Sequence, residues 1–386
     1  MYFEKQANNK ILLDKLNKNK HFAEVVNPII EYSKFKDFLG ESSYPALALS
    51  GGSLTSVWND TPVNDWDLYI MDLSFSYTPN GRGFIFKLLI EFIAEKYPNS
   101  KLKIHSNNSK SEDKVDTYIV STFFEDTAGV NRNQELRNSG LISLEVVLSE
   151  IESVHIQVIA LNSKSLMNIF PPEKPIDYFF TVSNLTPDTD DTLITPIGDL
   201  SFTTLSSKIN SFNLPFPEEK LEYIISVFYS YFFSKVRTPS QQVFTHYYML
   251  NPLRRLILSP YNLIETYDFT CVSAYYYNGE VNCVDSFYED NESKTLVINP
   301  YHSNILNFHV RVKKYSDRGY FIDSNLLMET LEKQYNLLSG DFQSCAGCTI
   351  IPISYYRKAK FAEEVKSIID NFDSFKVNKK MEYFTL

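Results

Sequence analysis

The sequence predicts an α+β protein: a small mixed sheet packed with helices, then a helical or irregular insertion, then a mainly helical C-terminal part. Three observations carry this. Apolar residues recur at helical spacing over the first 40 residues and again over 83–98. Short apolar or alternating runs, too short for helices, lie between and after those stretches. A Pro-, Asp- and Thr-rich segment over 170–200 then breaks the periodicity. The division that follows is 1–162 for the sheet-bearing core with its N-terminal helix, 163–245 for the insertion, and 246–386 for a strand hairpin with the helical C-terminal part.

Ile11, Leu12, Leu16, Phe22, Val25 and Ile29 mark the N-terminal helical stretch. "YPALALSGG" (44–52) reads as a short buried strand closed by glycines, and "SLTSVWND" (53–60) opens with the Ser/Thr chemistry of a helix start. "DWDLYIMDLSF" (65–75) alternates like a strand, and "GFIFKLLIEFIAEKYP" (83–98) is an amphipathic helix stopped by proline. Strand patterns follow at 114–124, 141–150 and 153–161, with an Asn/Gly-rich loop expected between the first two. Aromatic helices are expected over 217–258. "YDFTCVSAYYYNGEVNCVDSFY" (267–288) predicts a hairpin turning at Asn278-Gly279, and helices are expected from about 303 onward.

Composition narrows the function classes. The chain has 386 residues, 44% hydrophobic and 22% charged, with 26 Tyr and 29 Phe against only 12 Gly, which is a folded rather than a disordered composition. Its 37 Lys and Arg face 47 Asp and Glu, a net charge of −10 that argues against coating nucleic acid or membrane by bulk charge. A local basic groove stays open, because recognition depends on where charge lies. The start, "MYFEKQANNKILLDKLNKNKH", is polar and has no apolar h-region, and "LEYIISVFYSYFFSKV" (221–236) is too short and mixed for a membrane span. Cys271, Cys283, Cys345 and Cys348 read as buried or incidental thiols of a reducing compartment. The Cys345-Ala-Gly-Cys348 pair would need two more ligands to hold zinc. The expected location is cytoplasmic, with no membrane partner.

The densest chemistry lies in "ALSGGSLTSVWNDTPVNDWDLYIMD" (48–72). Gly51, Gly52 and Ser53 at a strand-to-helix turn let backbone N–H groups approach an anion. Eleven residues separate Ser53 from Asp65, and Asp67 follows one residue after Trp66. On a strand, positions i and i+2 share a face, so the two carboxylates project together with Trp66 packed behind. Such a pair repels itself unless a cation lies between, and hard oxygen ligands suit Mg²⁺. A strand face open to solvent, or an Asx-turn, would use the same residues without metal.

"LSGGS" and "DWDLYI", with their spacer and apolar flanks, resemble the signature of the DNA polymerase β nucleotidyltransferase superfamily. The resemblance implies a nucleotidyltransferase core and an NTP substrate, with ATP the first choice. Mg²⁺ or Mn²⁺ would be held by Asp65, Asp67 and a third carboxylate. "HIQVIA" carries His155 and Gln157 where the acid would be expected. "HIQVIA", "YDFTC" and "KKYSDRGY" (313–320) are together similar to an arrangement in virus- and phage-borne, poly(A) polymerase-like relatives. That similarity makes Asp268 the third acid and metal ligand ahead of Glu145. It assigns Lys313, Lys314, Arg318 and Tyr320 to the triphosphate or RNA backbone, with Tyr320 stacking on a base. A solvated helix end is the plain alternative for that stretch, and Arg254-Arg255 reads as structural.

The expected activity is therefore transfer of NMP from an NTP to an acceptor hydroxyl, with an RNA 3′ end first among acceptors. A non-catalytic binding or assembly module of the same fold is the second reading, favoured by the missing acid in "HIQVIA". A glycosyltransferase using Asp-x-Asp is the third. A Rossmann-like sheet with Asp67 at a strand's C-terminal end would favour it.

Overall fold

The computed structural model describes residues 2–36, 43–72, 79–105, 115–123, 129–160, 260–299, 307–339 and 355–371. The expected insertion over 163–245, the apolar stretch 221–236, Arg254-Arg255 and Cys345-Cys348 lie outside the described residues. In chain order come helix α1 (Tyr2–Lys18), a π-helical turn (Phe22–Val26), α2 (Asn27–Tyr32), strands β1 (Lys34–Lys36), β2 (Ser43–Pro45) and β3 (Leu47–Ser50), α3 (Gly52–Trp58) and β4 (Trp66–Ile70). Next are α4 (Pro79–Lys96), β5 (Lys101–His105), β6 (Val115–Ile119), α5 (Gly129–Asn138), β7 (Leu141–Ser149) and β8 (Glu152–Ala160). The rest are α6 (Pro260–Glu265), β9 (Ala274–Tyr277), β10 (Glu280–Cys283), α7 (Phe287–Glu292), α8 (Phe308–Ser316), α9 (Ser324–Ser339) and α10 (Tyr355–Asp370). The class is mixed α/β, and no described helix is long and apolar enough to cross a membrane.

The elements form two compact units. One, the sheet unit, comprises Lys20–Leu49 and Asp65–Asn262; the other, the helical unit, comprises Met1–Asn19, Ser50–Asn64 and Leu263–Leu386. The expected 1–162 core contributes to both.

In the sheet unit the strands run in the order β3-β4-β8-β7-β5-β6. β4 pairs parallel with β8, whereas β8–β7, β7–β5 and β5–β6 are antiparallel. Alternation sends Trp66, Leu68, Ile70, Leu102, Ile104, Ile142, Leu144, Ile156 and Val158 to one buried face. There the Phe22 ring lies 6.1 Å from Trp66. The opposite face carries Asp67, Lys101, Lys103, His105, Ser143, Glu145, His155 and Gln157, all half-buried or exposed.

Two expectations change here. The Asn/Gly-rich loop between the strand patterns is largely the helix α5, which packs against α4. It buries Leu136 completely, and a Cβ at Gly83 of α4 would lie 2.6 Å from Arg137 Cγ, so the glycine admits the close crossing. The second is an added strand, β5, whose "KLKIH" alternates exposed and buried residues.

The helical unit is held by a cluster that includes Phe269, Val272, Phe308, Val312, Tyr315, Leu327, Leu331 and Val365. The hairpin β9–β10 turns at Asn278-Gly279 as expected, with φ of 50° and 87°. The predicted strand over 267–272 does not form. Phe269 makes one isolated bridge to Ile298, and Thr270–Val272 is a 3₁₀ turn. Local side-chain bonds compete with the ladder there: Ser273 Oγ donates to Phe269 O at 2.9 Å and Thr270 Oγ1 donates to Asp290.

Trp66 is 1% exposed and is among the largest fully buried side chains. Trp66→Ala should destabilise the protein by about 3–5 kcal/mol in chemical denaturation followed by circular dichroism.

Candidate functional site

Asp65 precedes β4 and Asp67 is its second residue. Trp66 between them points into the core, so the two carboxylates share the open side, Asp65 exposed and Asp67 half-buried. Parallel pairing sets Gln157 beside Asp67, and one strand further Ser143 faces Gln157 and Glu145 faces His155. On β5, Lys103 faces Ser143 and Lys101 faces Glu145. Two polar rows therefore cross the sheet, and β8, the neighbour of the aspartate strand, contributes no acid to them.

Glu145 stands on this same face, but Lys101 Nζ donates to both of its oxygens, at 3.0 and 3.2 Å. His105 Nε2 and Ser143 Oγ lie 2.8 Å apart. Burial, and secondly the neighbouring Lys103 charge, hold the His105 ring below its ordinary pKa of 6.5. Asp65, Lys101, Lys103, His105, Ser143 and Glu145 are among the residues lining a pocket of about 220 Å³.

No group of three or more His, Cys, Asp or Glu side chains gathers as a metal site among the described residues. The donor set that fits a cation is the pair Asp65 and Asp67. Mg²⁺ is commonly held by one or two carboxylates, with substrate phosphates and waters completing its shell.

The helical unit holds the other candidates. Gly51 has φ 89° and ψ −148°, a region essentially restricted to glycine, at the junction of β3 and α3. The turn is anchored: Ser50 Oγ donates to Ala274 O at 2.8 Å, Gly51 N donates to the same oxygen at 3.3 Å, and Thr55 Oγ1 donates to Cys271 O at 2.8 Å. Ser53 is 2% exposed, and its hydroxyl has no hydrogen-bond partner among the described residues. An orphaned buried hydroxyl costs about 1–3 kcal/mol, so this atom needs an explanation. A Cβ at Gly52 would meet only Tyr315 Oη, at 3.9 Å.

Asp268 is buried, and Arg311 Nε donates to its Oδ2 at 2.6 Å. Lys313, Lys314 and Arg318 are exposed. Tyr320 is not. It is 2% exposed, and its hydroxyl donates to Asn291 Oδ1 and accepts from Asn59 Nδ2 at 3.1 Å. Burial raises its pKa, and the ring packs in the core instead of presenting a face to a base. Burial likewise pushes the Tyr315 hydroxyl up to about 12.

Lys101, Lys103, His105 and Ser143 were not among the expected site residues. The signal for the first three was the strict alternation of "KLKIH"; Ser143 becomes notable only through its pairing with Gln157 and Lys103.

Gly51→Ala should cost about 1–3 kcal/mol in urea unfolding. Gly52→Ala, at the first position of α3 with room for a Cβ, should be neutral or stabilise by up to about 1 kcal/mol. In an NMR titration His105 should titrate below 6.5. The stability it contributes as a neutral ring is complete above 6.5 and is lost as pH falls through its folded pKa. Lys103→Gln should raise that midpoint yet leave it below 6.5, because burial is the larger cause.

Comparison with protein-family models, with known proteins and with solved structures finds no match for this chain, so its site rests on sequence pattern and geometry.

Proposed function

We propose that the chain is a Mg²⁺-dependent nucleotidyltransferase that moves NMP from an NTP, with ATP the first choice, to an acceptor hydroxyl, most readily an RNA 3′ end. The observation that carries this reading is the placement of Asp65 and Asp67 on the open polar face of the sheet, with Trp66 sealed behind them. Asp65 and Asp67 would hold the cation, which when bound neutralises phosphate charge and lowers the pKa of the attacking hydroxyl. The Ser53 hydroxyl, buried and without a hydrogen-bond partner among the described residues, would donate to a phosphate oxygen, and the Gly51-Gly52 turn would let the backbone approach it. Exposed Lys313, Lys314 and Arg318 would contact triphosphate or RNA phosphates as the resemblance implies.

Asp268 enters as the third acid. Arg311 matches its charge, so its carboxylate would serve a cation only in competition with that guanidinium.

A non-catalytic module of the same fold is the second reading, favoured by Gln157 and His155 on the strand next to Asp67. The glycosyltransferase reading fits poorly, because Asp67 lies at the N-terminal end of β4 and the sheet is mixed.

Purified protein with labelled NTPs, Mg²⁺ or Mn²⁺ and bulk RNA should incorporate label. Asp65→Asn and Asp67→Asn should each reduce incorporation at least about hundredfold, a loss of roughly 2.7 kcal/mol or more in transition-state stabilisation. Incorporation that survives the double variant would overturn the assignment, and binding of NTP with no incorporation on any acceptor would favour the second reading.

A further inference from the structure

We propose that His309 is a pH-sensitive latch: its neutral ring ties α8 to α9 and α10, and a proton added to that ring loosens α10. The latch lies wholly within the helical unit and does not depend on the transfer reading.

His309 is the second residue of α8 and is 5% exposed. Three polar contacts hold it. Its backbone N–H donates to Gln334 Oε1 at 3.3 Å, its Nδ1 lies 2.7 Å from Gln334 Nε2, and its Nε2 lies 3.1 Å from Glu364 Oε2. Together they dictate the tautomer. The backbone N–H takes the amide oxygen of Gln334, which turns the amide NH₂ towards Nδ1, so Nδ1 must offer a lone pair. The ring's one proton then sits on Nε2 and is donated to Glu364. A second proton would go onto Nδ1 and meet the NH₂ of Gln334. Turning that amide over would only move the conflict to the His309 backbone N–H. Gln334 is fully buried, so water cannot stand in for either partner.

The charges around the ring are few. From α10, the Glu364 carboxylate faces it, with Lys360 Nζ 3.7 Å from the other carboxylate oxygen. From α9, Gln334 is neutral. Lys313 on α8, Glu332 and Lys333 on α9, and Glu363 on α10 are exposed. Glu364 favours a charged ring, but it is 41% exposed and shared with Lys360. Burial outweighs it and holds the ring below its ordinary pKa of 6.5.

The same ring is where α10 grips α8. Phe361 of α10 packs edge-on against it, with centroids 4.9 Å apart, and one turn on from Phe361 the fully buried Val365 enters the core of the unit. When α10 swings away, the ring loses Glu364 and Phe361, reaches water and regains its ordinary affinity for a proton. The closed arrangement is therefore fully favoured above 6.5 and loses ground as pH falls towards the folded pKa of His309.

Hydrogen exchange of the α10 amides in the full chain, followed between about pH 7.5 and 5.5 and corrected for the intrinsic rate, tests this. The carboxylates stay charged over that range. The opening equilibrium of α10 should rise as pH falls below 6.5, by at most about tenfold per pH unit, the limit for one proton. His309→Gln should abolish the rise. An α10 whose opening is independent of pH in the parent protein, or an equal rise in His309→Gln, overturns the latch. Glu364→Gln serves as the second variant, because it keeps the ring and Gln334 and removes the charge that favours the proton. His309 should then titrate lower by NMR than in the parent, and in both proteins its ring nitrogen shifts should report the Nε2–H tautomer at neutral pH. A midpoint that stays or rises in Glu364→Gln, or an Nδ1–H tautomer in the parent, overturns the latch as well.

Discussion

The register of β4 against β8 decides which side chains in the sheet unit stand beside one another. With Trp66 opposite Ile156 and Asp67 opposite Gln157, Trp66, Leu68, Ile70, Ile156 and Val158 meet the buried face while Asp67, His155 and Gln157 meet the open face. A slip of one residue would turn Asp67 into the layer occupied by Trp66, and would cost the burial of Trp66, Leu68 and Ile70 together. Each such side chain is worth about 1.5–3 kcal/mol when fully buried, so the register is protected by more energy than any single site residue could contribute. The placement of the acids is thus a by-product of packing on the other side of the sheet.

The two ion pairs near the candidate residues differ in kind. Lys101 and Glu145 are 45% and 24% exposed, which puts their pairing in the range of about 0–1 kcal/mol and makes it easy to exchange for a ligand. Asp268 and Arg311 are 6% and 32% exposed, and removing the guanidinium would strand a charge in the core of the helical unit. That pair works first as a bond between the 267–269 segment and α8. Lys294, Asn59, Asn291 and Tyr320 form a second such bond, through partly buried polar contacts that include Lys294 Nζ donating to Asn59 Oδ1 at 2.6 Å.

Much of the sheet unit was legible because β4 and most of β7 and β8 alternate with a period of two. β4 and β7 stand within the stretches that alternation marked, β8 starts one residue before its stretch, and α4 spans 83–96 of the predicted 83–98 helix. β5 was overlooked because five residues rich in lysine look like a solvated tail until alternation is weighed above composition. α5 was overlooked for the opposite reason: "GVNRNQELRN" has three asparagines and a glycine among its ten residues, and its contacts include the buried Leu136, a glycine on the facing helix and the Arg132 guanidinium over the Tyr118 ring. The Asp-x-Asp pair could be read from spacing alone. The fate of Tyr320 could not, since its partners Asn59 and Asn291 lie 261 and 29 residues away along the chain. Nor could the neutralisation of Glu145 by Lys101, which requires knowing that β5 lies next to β7.

Cys271 and Cys283 bear on a different question. Both thiols are buried and unpaired, and burial pushes each up to about 12. At that acidity almost no thiolate exists near neutral pH, and the thiolate is the species that attacks disulfides, binds metals and reacts with oxidants. The two residues therefore behave as small buried fillers, one inside the 3₁₀ turn and one at the end of the hairpin, where its Sγ donates to Asn9 Oδ1. Their persistence as free thiols would look the same in an oxidising or a reducing surrounding, so half of the cysteine count is silent about where the protein lives.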